Sequence, residues 1–84
     1  MRHHATKRFW DTYDILPAKV RSRADKAYDL MKTDPSHPSL HFKKVGDFWS
    51  VRIDLNHRAL AYQRSDGFVW VWIGSHKEYE RLIK

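Results

Sequence analysis

The sequence predicts an α+β domain in which N-terminal helices pack on one face of a small antiparallel sheet and a short helix closes the chain. Three observations carry this. Apolar residues recur at three- and four-residue steps in the first half of the chain. From residue 48 onward the apolar period changes to two. The connections between the alternating segments are too short for anything but an antiparallel meander. Helices first and strands second is the order of an α+β fold with the helices gathered on the sheet.

The elements follow in chain order. Residues 5–10, "ATKRFW", read as a short edge strand leading into a helical turn around "FWDTYDIL". The clearest helix is "LPAKVRSRADKAYDLMKTDP", residues 16–35. Pro17 suits a first helical turn, where its missing N–H costs nothing. Leu16, Val20, Ala24, Ala27, Tyr28 and Met31 form one apolar face, and Lys19, Arg23 and Lys26 line another. Pro35 and Pro38 end the helix and turn the chain.

"HFKKV" (41–45) reads as a strand beside the first member of the meander. In "FWSVRIDL" (48–55), Trp49, Val51, Ile53 and Leu55 share one face, and Phe48, Ser50, Arg52 and Asp54 the other. In "RALAYQR" (58–64), Arg58, Leu60, Tyr62 and Arg64 alternate with Ala59, Ala61 and Gln63. "SDG" is a hairpin turn, because Asp-Gly tolerates the positive φ that tight hairpins need. "FVWVWI" (68–73) puts Phe68, Trp70 and Trp72 on one side and Val69, Val71 and Ile73 on the other. Both sides are apolar, which predicts an interior strand. Gly74 then turns the chain into a last helix over "HKEYERLIK" (76–84), with Ser75 as N-cap and Glu78 three residues on, a capping-box spacing.

Composition bounds the function. Eighty-four residues, 42% hydrophobic and 14% aromatic, make one domain with one modest core. The absence of cysteine excludes disulfide staples and thiolate metal sites. No apolar run approaches the 18 or so residues a membrane span requires, so no membrane association is expected and the chain reads as cytoplasmic. Sixteen Lys and Arg against ten Asp and Glu leave a net charge of +6, which favours polyanionic partners: nucleic acid first, an acidic protein second.

Motifs narrow the list further. There is no glycine-rich phosphate loop and no G-x-S-x-G. His37 and His41 have no partner at metal-ligand spacing, so no metal site is expected. His76 falls in the first turn of the last helix, just past an interior strand. From the residues alone it is either an exposed first-turn side chain or a functional imidazole, and Tyr79 either a core residue or part of the same site. The tryptophans read as core or interface.

"LPAKVRSRADKAYDLMKTDPSHPSLHFKKV", "WSVRIDLNHRALAY" and "VWVWIGSHKEYERLI" together resemble the RelE/ParE superfamily of toxins from type II toxin–antitoxin systems, in order and spacing over nearly the whole chain. The likeness is to the RelE-like branch, whose members cleave mRNA on the ribosome without a metal or other cofactor. What this implies is an endoribonuclease that inhibits translation, controlled by a cognate antitoxin. In such a reaction the ribose 2′-OH attacks the adjacent phosphate. That requires a base for the hydroxyl, cations for the developing phosphorane charge and an acid for the 5′-oxygen.

The resemblance places Arg52 and Arg58 at the family's strand arginines and His76 where some members hold a C-terminal catalytic histidine. It places Lys43 and Lys44 among substrate-binding basic residues and Tyr79 at a terminal tyrosine. Some histidine-bearing members use a glutamate just before the segment matching "HFKKV". Here "PSHPSLHF" has no carboxylate, and the base is left unassigned. The same superfamily contains ParE-type gyrase inhibitors, so a binding module that cleaves no RNA is the alternative reading.

Overall fold

The computed structural model describes residues 2–83; the last residue of the expected C-terminal helix, Lys84, lies outside them. The element order is β1 (Arg2–Ala5), α1 (Lys7–Asp14), α2 (Ala18–Thr33), a 3-10 turn (Pro38–Leu40), β2 (Lys43–Val45), β3 (Phe48–Asp54), β4 (His57–Arg64), β5 (Gly67–Ser75) and α3 (His76–Ile83). The strands form one sheet in the order β1-β5-β4-β3-β2. β2 to β5 are an antiparallel meander, as the short connections demand.

The N-terminal strand differs from the expected one. It lies at residues 2–5 rather than 5–10, and it runs parallel to β5, which makes the sheet mixed. Gly67 explains the docking. Its φ is +154°, and a Cβ there would collide with the backbone of Arg2. Only glycine lets β1 come this close. Beyond Ala5 the outer edge of β5 is met by threonines instead of a strand. Thr6 N–H donates to Trp70 O at 3.0 Å, and Ile73 N–H donates to Thr12 Oγ1 of α1 at 3.2 Å. Two backbone groups of the edge, Trp70 C=O and Ile73 N–H, are thus satisfied without a longer β1.

α1 and α2 cover one face. Leu16, Val20, Ala24, Ala27 and Met31 pack against Val51, Ala59, Ala61, Phe68, Trp70 and Ile73. Tyr28, expected on the buried stripe, is instead 43% exposed. α3 folds back over the opposite face, where Tyr79 joins Leu60 and Trp72 in a second, smaller cluster.

Two bulges correct the expected face assignments. Leu60 pairs with Trp72 but Ala61 pairs with Trp70, so Val71 is an extra residue in β5. A single extra residue reverses the alternation beyond it. Trp72 therefore leaves the side of Phe68 and Trp70 and joins the α3 cluster, while Ile73 enters the main core. In β3 the register skips between Arg52 and Asp54. Asp54 is thereby turned from the face of Arg52 toward α2, where its Oδ2 accepts from Arg23 at 3.1 Å, and Leu55 falls in the turn, exposed rather than on the Trp49 face.

Candidate functional site on the α3 face

Arg52 and Arg58 are direct cross-strand partners in β3 and β4. Partners in an antiparallel pair share a face and stand about 5 Å apart at Cβ. That face is the one α3 covers, since Ser50 pairs with Leu60 in the same register. Like charges directly opposite each other work against the sheet, so the pair is not explained by stability. Arg58 is anchored: its Nη1 donates to Asp54 O at 2.6 Å and His57 O at 2.9 Å. Burial, then the Arg52 charge, pushes its pKa below the ordinary arginine value, with Tyr79 and Asp54 pulling the other way. Arg58 still carries its charge at neutral pH.

Tyr79 is buried among Leu60 and Trp72 and lies close enough to influence Arg58. The His76 ring sits tilted against it, centroids 5.8 Å apart. Local sequence sets this position. Glu78 N–H donates to Ser75 Oγ at 3.2 Å, and Ser75 Oγ–H donates to Glu78 Oε1 at 3.1 Å, which caps α3. His76 N–H donates to Asn56 O at 2.7 Å, tying the helix start to the β3–β4 turn. The imidazole is partly exposed, with Nδ1 3.4 Å from Glu80 Oε1. Gly74 pairs with Arg58; a Cβ there would press into the Trp72 indole, so the glycine keeps this corner open.

The two lysines part company. Lys43 pairs with Ser50 and therefore shares the arginine face; Lys44 pairs with Trp49 and belongs to the other. The structure thus brings together Arg52, Arg58, Tyr79, His76 and Lys43, and not Lys44. The stripe Lys19, Arg23, Lys26 lies outside this face, and Arg23 is engaged with Asp54.

One residue here was passed over in the sequence. His41 follows the 3-10 turn with φ +44°, a left-handed conformation uncommon for residues other than glycine, though Asn, Asp and His adopt it more readily than most. The turn carries its imidazole to Arg52: Arg52 Nη1 approaches His41 Nε2 at 3.5 Å, the outer limit of a hydrogen bond. The available signal was Pro35 and Pro38 ahead of His41; the prolines were read as a chain reversal, and His41 as the start of a strand that the structure begins at Lys43. Among the described residues no group of three or more His, Asp or Glu is placed to hold a metal ion.

The site is an open cationic surface. An adjoining groove of about 290 Å³ between α2 and β3 is lined by Arg23, Lys26, Leu30, Leu40 and Arg52. Exposed guanidinium and imidazole groups on an open face suit an extended polyanion better than a small metabolite, which calls for an enclosed, mostly apolar pocket.

Comparison with known proteins bears on the family and the fold. The toxin–antitoxin complex RelB–RelE of Methanococcus jannaschii contains a chain similar in fold (TM-score 0.75, 15% identity, 96% of this chain and 99% of that chain covered). So do the YoeB/ParE toxin from Agrobacterium tumefaciens (TM-score 0.69, 18% identity, 90% and 99% covered) and the RelE–RelB complex of Pyrococcus horikoshii OT3 (TM-score 0.64, 16% identity, 88% and 92% covered). No curated protein sequence matches the chain. The ParE-like toxin domain model matches residues 18–81, most of the chain and every site residue named above, and the chain therefore belongs to the ParE-like toxin family, within the RelE/ParE superfamily of toxin–antitoxin systems.

Proposed function

We propose that this toxin is a metal-independent endoribonuclease that cleaves mRNA on the ribosome and so inhibits translation. The observation that carries the reading is the Arg52–Arg58 pair, with His76 and Tyr79 beside it and His41 against Arg52. Two arginines side by side on one sheet face match the requirement of a phosphorane, whose charge builds on non-bridging oxygens; each guanidinium donates in a planar fork suited to phosphate. The 2′-OH attacks phosphorus, the 5′-oxygen leaves, and a 2′,3′-cyclic phosphate results. His76, partly exposed at the start of α3, is assigned the proton for the 5′-oxygen. His41 is assigned the proton from the 2′-OH, filling the role for which the chain has no carboxylate. Tyr79 positions Arg58, and Lys43 extends the cationic surface along the RNA.

The partner reading is an antitoxin. The similar folds from Methanococcus and Pyrococcus are described as antitoxin–toxin complexes. A segment with carboxylates on an apolar stripe would neutralise Arg52 and Arg58 and cover the sheet face.

The test supplies purified protein to translating ribosomes and maps mRNA 5′ ends and 3′-terminal phosphates. Cuts in ribosome-bound mRNA, with free RNA cut poorly, are the expected result. Intact message and undisturbed translation at excess protein would end the proposal. The family match by a ParE-like model favours one rival, a gyrase inhibitor. Supercoiling measured in the same samples separates the two, and only the nuclease depends on His76.

A further inference from the structure

Between β1, α1 and α2, on the side of the molecule away from the arginines, lies a crevice of about 210 Å³. Its walls include His3, Phe9, Trp10, Tyr13 and Tyr28, with the Asp25 carboxylate among them. Trp10 is 49% exposed and Tyr28 43%, an unusual concentration of accessible ring surface for two neighbouring positions. The rings are set edge to face: Trp10 lies 5.4 Å from Tyr13 at 84°, and His3 lies 5.5 Å from Tyr28 at 87°.

Asp25 supplies the one carboxylate among the residues of the wall. Its Oδ1 accepts from the Tyr13 hydroxyl at 2.8 Å. Among the described residues no Lys, Arg or His lies within salt-bridge distance of it, whereas Asp11, Asp29 and Asp54 each have such a partner. The other Asp25 oxygen has no hydrogen-bond donor among the described residues. Ring faces carry negative potential and attract cations. The protein itself shows this at the edge of the crevice, where Lys32 Nζ sits 4.7 Å from the centroid of Tyr28.

We propose that this crevice is a docking site for a single lysine side chain presented by a protein partner. The rings would flank the four-carbon stem, and the ammonium would reach the open oxygen of Asp25. With Oδ1 held by Tyr13, one oxygen remains, which suits a compact ammonium rather than the two-pronged grip of a guanidinium. A chain of net charge +6 repels cations at long range, so such a contact has to be made by these local groups. The proposal is independent of the RNA-cleavage reading.

The experiment titrates the ¹⁵N-labelled protein at pH 7.5 with acetyl-Ala-Ala-Lys-Ala-Ala-amide, and with the same peptide carrying norleucine or arginine in place of lysine. The Trp10 indole and Tyr28 amide resonances should shift saturably. The lysine peptide should bind about five- to thirtyfold more tightly than the norleucine peptide, the span from an exposed to a desolvated cation–π contact. Asp25→Asn should remove most of that preference, and Trp10→Leu should weaken the lysine peptide, both with amide spectra of a folded protein. Equal affinity for norleucine, tighter binding of arginine, or no saturable shift at Trp10 would overturn the proposal.

Discussion

Arg52 and Arg58 face each other across β3 and β4 with no carboxylate between them, and Arg58 is held in place by carbonyl oxygens of Asp54 and His57 rather than by an acid. A cross-strand pair of like charges is a cost to the sheet, of the order of 0.2–1 kcal/mol. Removing one charge should relieve it. Arg52→Gln is expected to leave the folding free energy unchanged or raise it by up to about 1 kcal/mol, read from urea melts. The same substitution should lower mRNA cleavage about 10²-fold, the scale of losing one key charge stabiliser. Arg52→Gln that destabilised the fold with cleavage unaffected would reverse the assignment of the pair.

His41 makes a similar trade at the backbone. A side chain in the left-handed region costs roughly 1–2 kcal/mol that glycine does not incur. His41→Gly should therefore stabilise the protein by about 1 kcal/mol, net of lost side-chain contacts, while cleavage falls about 10²-fold or more. If His41 takes the 2′-OH proton, the alkaline limb of the rate profile persists in His41→Gly while the acid limb flattens. An unchanged profile would leave His41 a turn residue only.

For His76 the expected outcome is a split between the two activities of the superfamily. On the nuclease proposal His76→Ala should reduce RNA cleavage by about 10²-fold or more, the cost of losing the group assigned as proton donor. Tyr79→Phe keeps the ring against Leu60 and Trp72 and deletes only the hydroxyl near Arg58, so its loss should be smaller. A toxin that still arrests cells as His76→Ala, with supercoiling disturbed, would be a gyrase binder.

Much of this was legible in the sequence. Period-two alternation in residues 48–64 placed Arg52 and Arg58 on the sheet face opposite α1 and α2, and the S-x-x-E spacing located the start of α3. The failures have physical causes. Bulges at Val71 and next to Asp54 carry no local mark, because valine and isoleucine fit a regular strand equally well. Trp72, Ile73 and Asp54 were therefore put on the wrong sides. β1 is short and polar, with no pattern of its own; its place depends on the bare backbone of Gly67, some sixty residues away in sequence. His41 reaches Arg52 only through the turn geometry after two prolines, which spacing does not reveal.

Gly67 offers a direct test of that packing. A methyl group there would overlap the Arg2 backbone, which cannot move aside as a side chain could, and φ +154° is itself unfavourable for alanine. Gly67→Ala should release β1, costing about 2–4 kcal/mol. Hydrogen exchange should show amides of residues 2–5 losing protection first, while β3 and β4 keep theirs. Uniform loss of protection would mean that β1 is integral to the cooperative unit.

Acid should destabilise the fold in two stages. His3 Nδ1 accepts from Trp70 Nε1–H at 3.0 Å, and its Nε2 is buried without a partner among the described residues. Burial, with positive charge from Lys32 and His4 nearby, lowers its pKa below the ordinary 6.5. A histidine depressed in the folded state contributes stability above its unfolded pKa and loses it as the pH falls through the folded value. Melting temperature should thus be flat above pH 6.5 and decline below it. Asp54 supplies the second stage. Burial alone would raise its pKa, but hydrogen bonds from His57, Asn56 and Arg23 outweigh it and hold the carboxyl below its usual value. That contribution is present above the unfolded carboxylate pKa, about 3.9, and disappears as the pH falls through the lower folded value. His3→Gln, whose amide oxygen can still accept from Trp70, should remove the first decline and keep the second. Asp54→Asn should lower the plateau and flatten the second. A melting temperature constant from pH 7 to pH 5 in the parent protein would show that His3 is not held in the neutral form.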